Sequence, residues 1–453
     1  MGMNLKKLLL TALSVFLIFS LYGNNPEDTL KTDKKQEKIK KGWTFGAVPA
    51  TTYSSDLGFQ YGLVVNFFNY GDGTTYPKYH HNIYLEWSRY TKGSGVNMIK
   101  YDSEYLIPGI RISADVSYVT DQALDFFGFN GYESLFDASL VDDEDPNYIS
   151  RMFYCMDRKM LRARADFQGP IIEKKLRWMA GIEISDIKID NVNIEKLNKG
   201  KDEDNKLPDT TLLFEDYKTW GIVPADQADG GTNTLLKLGA IYDTRDNEAN
   251  PMHGIWTELQ ILLAPSFLGN GDLSYTKLIA THRQYFTLVP KVLSFVYRLS
   301  YQGKLSGTMP FYMLPFVYNT APEYTRDGFG GKKSIRGVLR NRVVGDGIVY
   351  GNTEFRWKFY RGVILNQNVY LALSAFLDGG IVVDPYDFTV NDAYRTEAAP
   401  FLPETDESLH LGYGGGLHIA LNENFIIAAD VAKAAKKEDS NKLGIYIGLD
   451  FLF

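Results

Sequence analysis

The most constraining feature of the sequence is a two-residue period in hydrophobicity. In the segment 443–453, LGIYIGLDFLF, the residues Leu443, Ile445, Ile447, Leu449, Phe451 and Phe453 share one parity, and Gly444, Tyr446, Gly448, Asp450 and Leu452 share the other. A helix would place Asp450 beside Ile447 and Phe453, whereas a strand keeps one face wholly apolar, so the strand fits. The pattern recurs. In GIRISADVSY, Ile110, Ile112, Ala114, Val116 and Tyr118 alternate with Arg111, Ser113, Asp115 and Ser117. In VLSFVYRLSY, Leu293, Phe295, Tyr297, Leu299 and Tyr301 stand opposite Arg298. In NVYLALSAFLD, Val369, Leu371, Leu373, Ala375 and Leu377 stand opposite Ser374 and Asp378, and in NFIIAADVAK, Phe425, Ile427, Ala429 and Val431 stand opposite Asp430.

A soluble sandwich would alternate too, but its apolar parity would have to find another sheet. The start of the chain points elsewhere. Lys6 and Lys7 precede an apolar run, Leu8 to Leu21, that ends near Ser20 and Gly23. This reads as a secretory signal peptide over 1–23, too short and wrongly flanked for a spanning helix. No cysteine directly follows it, so a lipoprotein anchor is not expected. After residue 24 no run of about 18 apolar residues exists, so no helix is expected to cross a bilayer. Tyr and Phe number 30 and 27, Gly 41, and Cys155 is the single cysteine. One cysteine in an exported chain argues against a disulfide scaffold and a thiolate metal site. A net charge of −7 gives no basic footprint for nucleic acid. These features together predict an all-β protein, a sixteen-stranded antiparallel transmembrane barrel whose lipid-facing and lumen-facing residues alternate.

The predicted strands cover 43–53, 58–69, 81–91, 98–107, 109–119, 151–168, 173–190, 232–243, 254–265, 272–286, 291–304, 348–360, 368–378, 409–420, 423–433 and 443–453. Their number is even, as in single-chain bacterial barrels. Short connections at 169–172, 287–290 and 421–422 alternate with long ones near 120–150, 191–231, 305–347 and 379–408. Short turns belong to the periplasm and long loops to the exterior, so both ends of the barrel are expected in the periplasm. The barrel domain is placed at 43–453. Residues 24–42 form a short Lys-rich leader, read as flexible, with contact to anionic headgroups or a partner as the weaker alternative.

The segment 305–347 is a connection of roughly 40 residues, a length at which loops are usually functional or disordered. Met309, Phe311, Tyr312, Leu314, Phe316 and Val317 suit folding back into a lumen better than exposure. Its tip reads GGKKSIRGVLRN, with glycines at 328, 330, 331 and 337 that permit tight turns. Arg336, carried into a lumen, would want carboxylates. GNTEFRWKF puts Glu354, Arg356 and Lys358 on the inner parity, with Phe355, Trp357 and Phe359 towards lipid; FLDGG puts Phe376 and Asp378 inside. A guanidinium suits such bidentate pairing better than an ammonium. The plain alternative is that Arg336 is a solvated loop charge.

At this point the chain resembles the BamA/TamA-like superfamily of outer-membrane assembly and secretion barrels, also called bacterial surface antigens, which includes the two-partner secretion transporters. The family's sixth outer loop carries [V/I]-R-G-[F/Y], matched here by Ile335, Arg336, Gly337 and, in place of the aromatic, Val338. Its twelfth strand carries G-x-x-E-x-R, matched by Gly351, Glu354 and Arg356. Its thirteenth carries F-x-D-x-G, matched by Phe376, Asp378 and Gly380. A periplasmic turn of the D-T-R-D-N type runs from Asp243 to Gly254. The resemblance covers about 43–453 and implies that the loop arginine locks to the strand-thirteen aspartate and holds an in-folded plug. It also implies a C-terminal barrel signal, here Phe451 and Phe453. The periplasmic POTRA domains that receive clients in the family are not found, so the chain resembles a bare-barrel subgroup.

The seam between first and last strands carries Gly46 and Pro49 on one side and Gly444 and Gly448 on the other. Proline removes a ladder donor and strand glycines weaken packing. The family implies a lateral gate there, at which an edge strand templates a client strand. The reading is therefore an outer-membrane barrel of a Gram-negative cell, assisting insertion or translocation of proteins or lipids. Its expected partners are outer-membrane lipids, client outer-membrane proteins and a separate periplasmic or lipoprotein partner. The alternative is a plugged pore or structural barrel. Catalysis is not expected: G-x-S-x-G is missing. The histidines at 80, 81, 253, 282, 410 and 418 lack metal spacing. GYGGG at 412–416 does not open a helix, so it does not read as a phosphate cradle. No cofactor is called for.

Overall fold

The computed structural model describes residues 40–453 except 56, 77, 174, 248–249, 321–327, 365–366, 422–424 and 450–452. The expected signal peptide, most of the expected leader and Phe451 lie outside the described residues. The strands are β1 (Trp43–Pro49), β2 (Thr52–Ser54), β3 (Gly58–Asn69), β4 (His81–Tyr90), β5 (Ser94–Ile107), β6 (Ile110–Asp125), β7 (Cys155–Ile172), β8 (Leu176–Asp190) and β9 (Gly230–Asp243). They continue as β10 (Gly254–Ala264), β11 (Tyr275–Val289), β12 (Leu293–Gly307), β13 (Gly347–Ile364), β14 (Gln367–Asp384), β15 (His410–Leu421), β16 (Phe425–Ala434) and β17 (Gly444–Leu449). Consecutive strands from β2 to β17 pair antiparallel, and β17 pairs back with β2, so the sheet closes. The barrel has sixteen staves, as expected, because β1 and β2 are two pieces of the first one.

Each predicted strand is present, with shifted ends. The first, 43–53, breaks at Ala50–Thr51 directly after Pro49. The segments 109–119, 348–360 and 368–378 run on to Asp125, Ile364 and Asp384, because the backbone ladder stays hydrogen-bonded beyond the apolar band that the alternation marks. Between Lys358 and Tyr360 a register shift lets both Phe359 and Tyr360 face outward.

The exposed parity is the apolar one. Leu299, Phe355, Trp357 and Leu377 are each about half exposed, while Arg298, Glu354 and Asp378 on the other parity are buried. A soluble sandwich would show the reverse. No helix among the described residues is long and apolar enough to cross a membrane.

At the end opposite the short turns, the long connections share one apolar core. Phe129 lies 4.7 Å from Tyr386 and 6.2 Å from Phe311, ring to ring, and Trp220 lies 5.6 Å from Phe401. Residues from four different connections therefore bury one another. The segment 308–346 begins in this core and then descends. Tyr318 exchanges hydrogen bonds with Gln302 on β12, and the Thr320 N–H donates to Glu258 on β10 at 3.0 Å. Met309, Phe311, Tyr312 and Leu314 thus pack under the outer loops, and the descent into the lumen starts beyond them.

Candidate functional site

The returning half of this segment places Arg336 against the inner wall of the last five staves, β13 to β17. Its Nε donates to Asp378 Oδ2 at 2.7 Å and its Nη2 to Asp378 Oδ1 at 3.1 Å, the bidentate pair that a guanidinium favours. Its backbone N–H donates to the same carboxylate at 3.1 Å. Nη2 also reaches Glu354 Oε2 at 3.1 Å, and Nη1 reaches Asp430 Oδ2 at 3.1 Å. The ring of Phe376 lies beneath, its centroid 3.3 Å from the guanidinium carbon. Arg336 and Glu354 are each 1% exposed and Asp378 is fully buried, so this is no solvated loop charge. The carboxylates have further partners: Arg356 Nε donates to Glu354 Oε1 at 2.9 Å, and His418 Nε2 lies 3.0 Å from Asp430 Oδ1. Removing one member of such a buried group leaves charges without compensation, which costs about 3–5 kcal/mol.

The motif residues around Arg336 fill defined places. Gly337 has φ 92°, a left-handed value that a side chain would strain, and its missing side chain also clears the Lys433 backbone. Ile335 and Val338 are buried with Phe329, Tyr350 and Val382, so Val338 packs where the family has an aromatic. A Cβ on Gly380 would meet the Ile335 side chain, and one on Gly351 would press on the Arg298 carbonyl.

Several participants were not assigned from sequence. Asp430 is the third carboxylate. GYGGG forms the floor under the loop tip: a Cβ on Gly412 would strike the Arg336 carbonyl, one on Gly414 the Phe376 ring, and one on Gly416 the Asp430 carboxylate. The signal was present, since all three glycines share the inner parity that Asp430 shares on the next strand.

The seam is short. Its register pairs are Tyr446↔Ser54 and Ile447↔Tyr53, extended by Ser55 N–H donating to the Ile445 carbonyl at 3.0 Å. Among the described residues β1 has register partners on β3, from Trp43↔Asn69 to Pro49↔Leu63, and none on β17. Adjacent amides of a strand point to opposite sides, and Ala50 N–H donates to Gly62 on β3. The donor that Pro49 lacks is therefore one on the seam side. The two glycines of β17 stand where neighbouring side chains need space. A Cβ on Gly448 would fall on the Lys332 ammonium, and one on Gly444 would meet the Tyr446 ring, so both make room for neighbours.

Phe453 departs from the expected outward parity. Its ring is buried with Tyr285 and Val296, on the β11–β12 wall of the lumen. The guanidinium carbons of Arg298 and Arg356 lie 5.0 and 5.4 Å from the ring centroid, and Arg356 Nη2 donates to its main-chain oxygen at 2.9 Å. Two buried cations attract a π face and a carbonyl that lipid could not satisfy.

A closed sixteen-stave barrel with an arginine-locked inner loop defines a class of outer-membrane protein. The sequence matches the Omp85 superfamily domain over residues 108–452, and the chain belongs to that superfamily. Among solved structures, BamA from Haemophilus ducreyi lacking POTRA domains 1–3 is similar at TM-score 0.51 and 15% identity, over 91% of this chain and 70% of that one. CdiB from Escherichia coli is similar at TM-score 0.53 and 10% identity, over 90% of this chain and 62% of that one, so this chain spans under two thirds of its length. At these identities the likeness concerns the fold. Among curated proteins, none matches the sequence.

Proposed function

We propose that the barrel assists insertion or translocation of proteins or lipids at the outer membrane, through the seam between β2 and β17 and without covalent chemistry. The observation that carries this reading is the contrast in pairing. Among the described residues, two register pairs join β17 to β2, whereas β13 and β14 pair from Gly347↔Asp384 to Ile364↔Gln367. A strand edge with free ladder groups is a template for an incoming strand. Trp43–Pro49, paired with β3 on one side, would present such an edge once the seam parts. The partners that follow are outer-membrane lipids, client outer-membrane chains and a separate periplasmic or lipoprotein factor that delivers them.

The test is depletion of the protein followed by proteomics of the outer membrane and analysis of surface lipid. The expected outcome is a selective fall in other barrels or in a surface lipid. Unchanged levels of both would leave a plugged structural barrel as the better reading. Co-purification from native membranes identifies the delivery factor.

A further inference from the structure

We propose that Lys332 tethers the plug tip to the seam strand, so that withdrawal of the plug and opening of the seam are one coupled event. The proposal rests on the reading of the β2–β17 contact as a working seam. Its basis is a coincidence of contacts. The β17 residues that form the seam pairs are Tyr446 and Ile447. The plug tip holds these same two residues. Lys332 Nζ donates to the Ile447 carbonyl at 3.1 Å, and the Gly337 N–H donates to the Tyr446 hydroxyl at 3.2 Å.

The local chemistry suits a tether. The ammonium approaches β17 through space that exists because residue 448 is glycine. An ammonium on a carbonyl is a charge-assisted hydrogen bond, and it gains strength where water is scarce. Lys332 is half-buried and Tyr446 is buried against Phe376 and Ala432. Phe376 also carries the Arg336 guanidinium, so lock and tether share a side chain.

The tether is nonetheless separate from the lock. The carboxylates that hold Arg336 stand on β13, β14 and β16, and none stands on β17. Arg336 therefore fixes the plug to a rigid part of the wall. Lys332, four residues earlier, extends that hold to β17, the strand on one side of the seam. In this arrangement Lys332 is a positioning residue. It supports the seam from the lumen while the plug is seated and releases it when the plug leaves.

The experiment uses the full chain in lipid nanodiscs and amide hydrogen exchange, comparing wild type with Lys332→Met and with Gly448→Ala. The second variant keeps the charge and fills the space that the ammonium occupies. In both, the amides of Gly444–Leu449 should exchange on the order of tenfold faster, the scale of one charged hydrogen bond. Exchange in β13 and β14 should stay the same, and the plug should keep its protease resistance because the Arg336 lock is intact. Unchanged exchange of β17 in both variants would overturn the tether. So would an equal rise in β13 and β14, which marks general loosening. If Lys332→Met does not fold, Gly448→Ala decides alone. A responsive seam together with an unaltered outer-membrane proteome on depletion would keep the tether and remove the assembly role.

Discussion

The β13–β14 wall and the β17–β2 seam are parts of one closed sheet with opposite construction. The first pairs continuously over the full height of the barrel and carries Glu354 and Asp378, two of the three carboxylates that hold Arg336. Among the described residues the second has two register pairs, follows a break after Pro49, and receives contacts from the inner loop on both of its β17 residues. The loop is anchored on the long-paired wall through Arg336 and, in the proposed reading, also braces the seam through Lys332.

That contrast can be broken or sharpened in order of size. Arg336→Ala removes the charge that keeps Glu354, Asp378 and Asp430 together, and should cost about 3–5 kcal/mol. The folded barrel should lose its compact form in detergent at lower temperature, and a protease should cut within 308–346; an uncut segment would argue against the lock. Pro49→Ala returns a donor on the seam side, worth about 0.5–1.5 kcal/mol if it pairs. It should slow amide exchange in β17 and leave β13–β14 unchanged, and no slowing would mean that the donor finds no partner across the seam.

The smallest effect concerns the outer cap, away from both regions. Burial, with Glu397 and Glu215 nearby, pushes the Asp216 carboxyl up to about 6. A carboxyl raised by folding favours the folded cap while it is protonated. This contribution is full below the ordinary carboxylate range and is lost as pH rises through about 6. The helix Leu213–Thr219 should therefore be better protected from exchange at pH 5 than at pH 7.5. Asp216→Asn should remove that difference, while β17 and β13–β14 should show no pH step of this kind.

Much of this was legible in the sequence because the barrel imposes a simple rule. Alternation at Leu299, Phe355 and Leu377 against Arg298, Glu354 and Asp378 reports the two environments directly, and the stave count follows. The Arg336–Asp378–Glu354 grouping was legible because a lumenal guanidinium needs inner-parity carboxylates, and two adjacent strands offered them. Asp430 and Gly412 were not assigned because parity says which residues face the lumen and not which of them meet across it. Lys332 was hidden for a related reason: its contact with β17 is to a main-chain carbonyl, which leaves no mark in sequence. Phe453 was misread because its parity matched the lipid face, while the deciding factor was a pair of lumenal arginines on other strands. The break after Pro49 was foreshadowed by the proline, but which residues of β17 pair across the seam depends on the closure of the whole ring.

The central claim is that the seam, and not the wall in general, must part for the barrel to work. The direct measurement is a pair of engineered disulfides in a Cys155→Ser background. One, Tyr53→Cys with Ile447→Cys, crosses the seam at a register pair; the other, Thr353→Cys with Leu377→Cys, crosses the β13–β14 wall at a register pair. Each variant is expressed under oxidising conditions as the only copy, and the outer-membrane proteome is compared with that of depleted cells. The account predicts that the seam disulfide reproduces the depletion profile and is relieved by reductant, while the wall disulfide leaves the profile normal. A normal profile with the seam disulfide fully formed would contradict it.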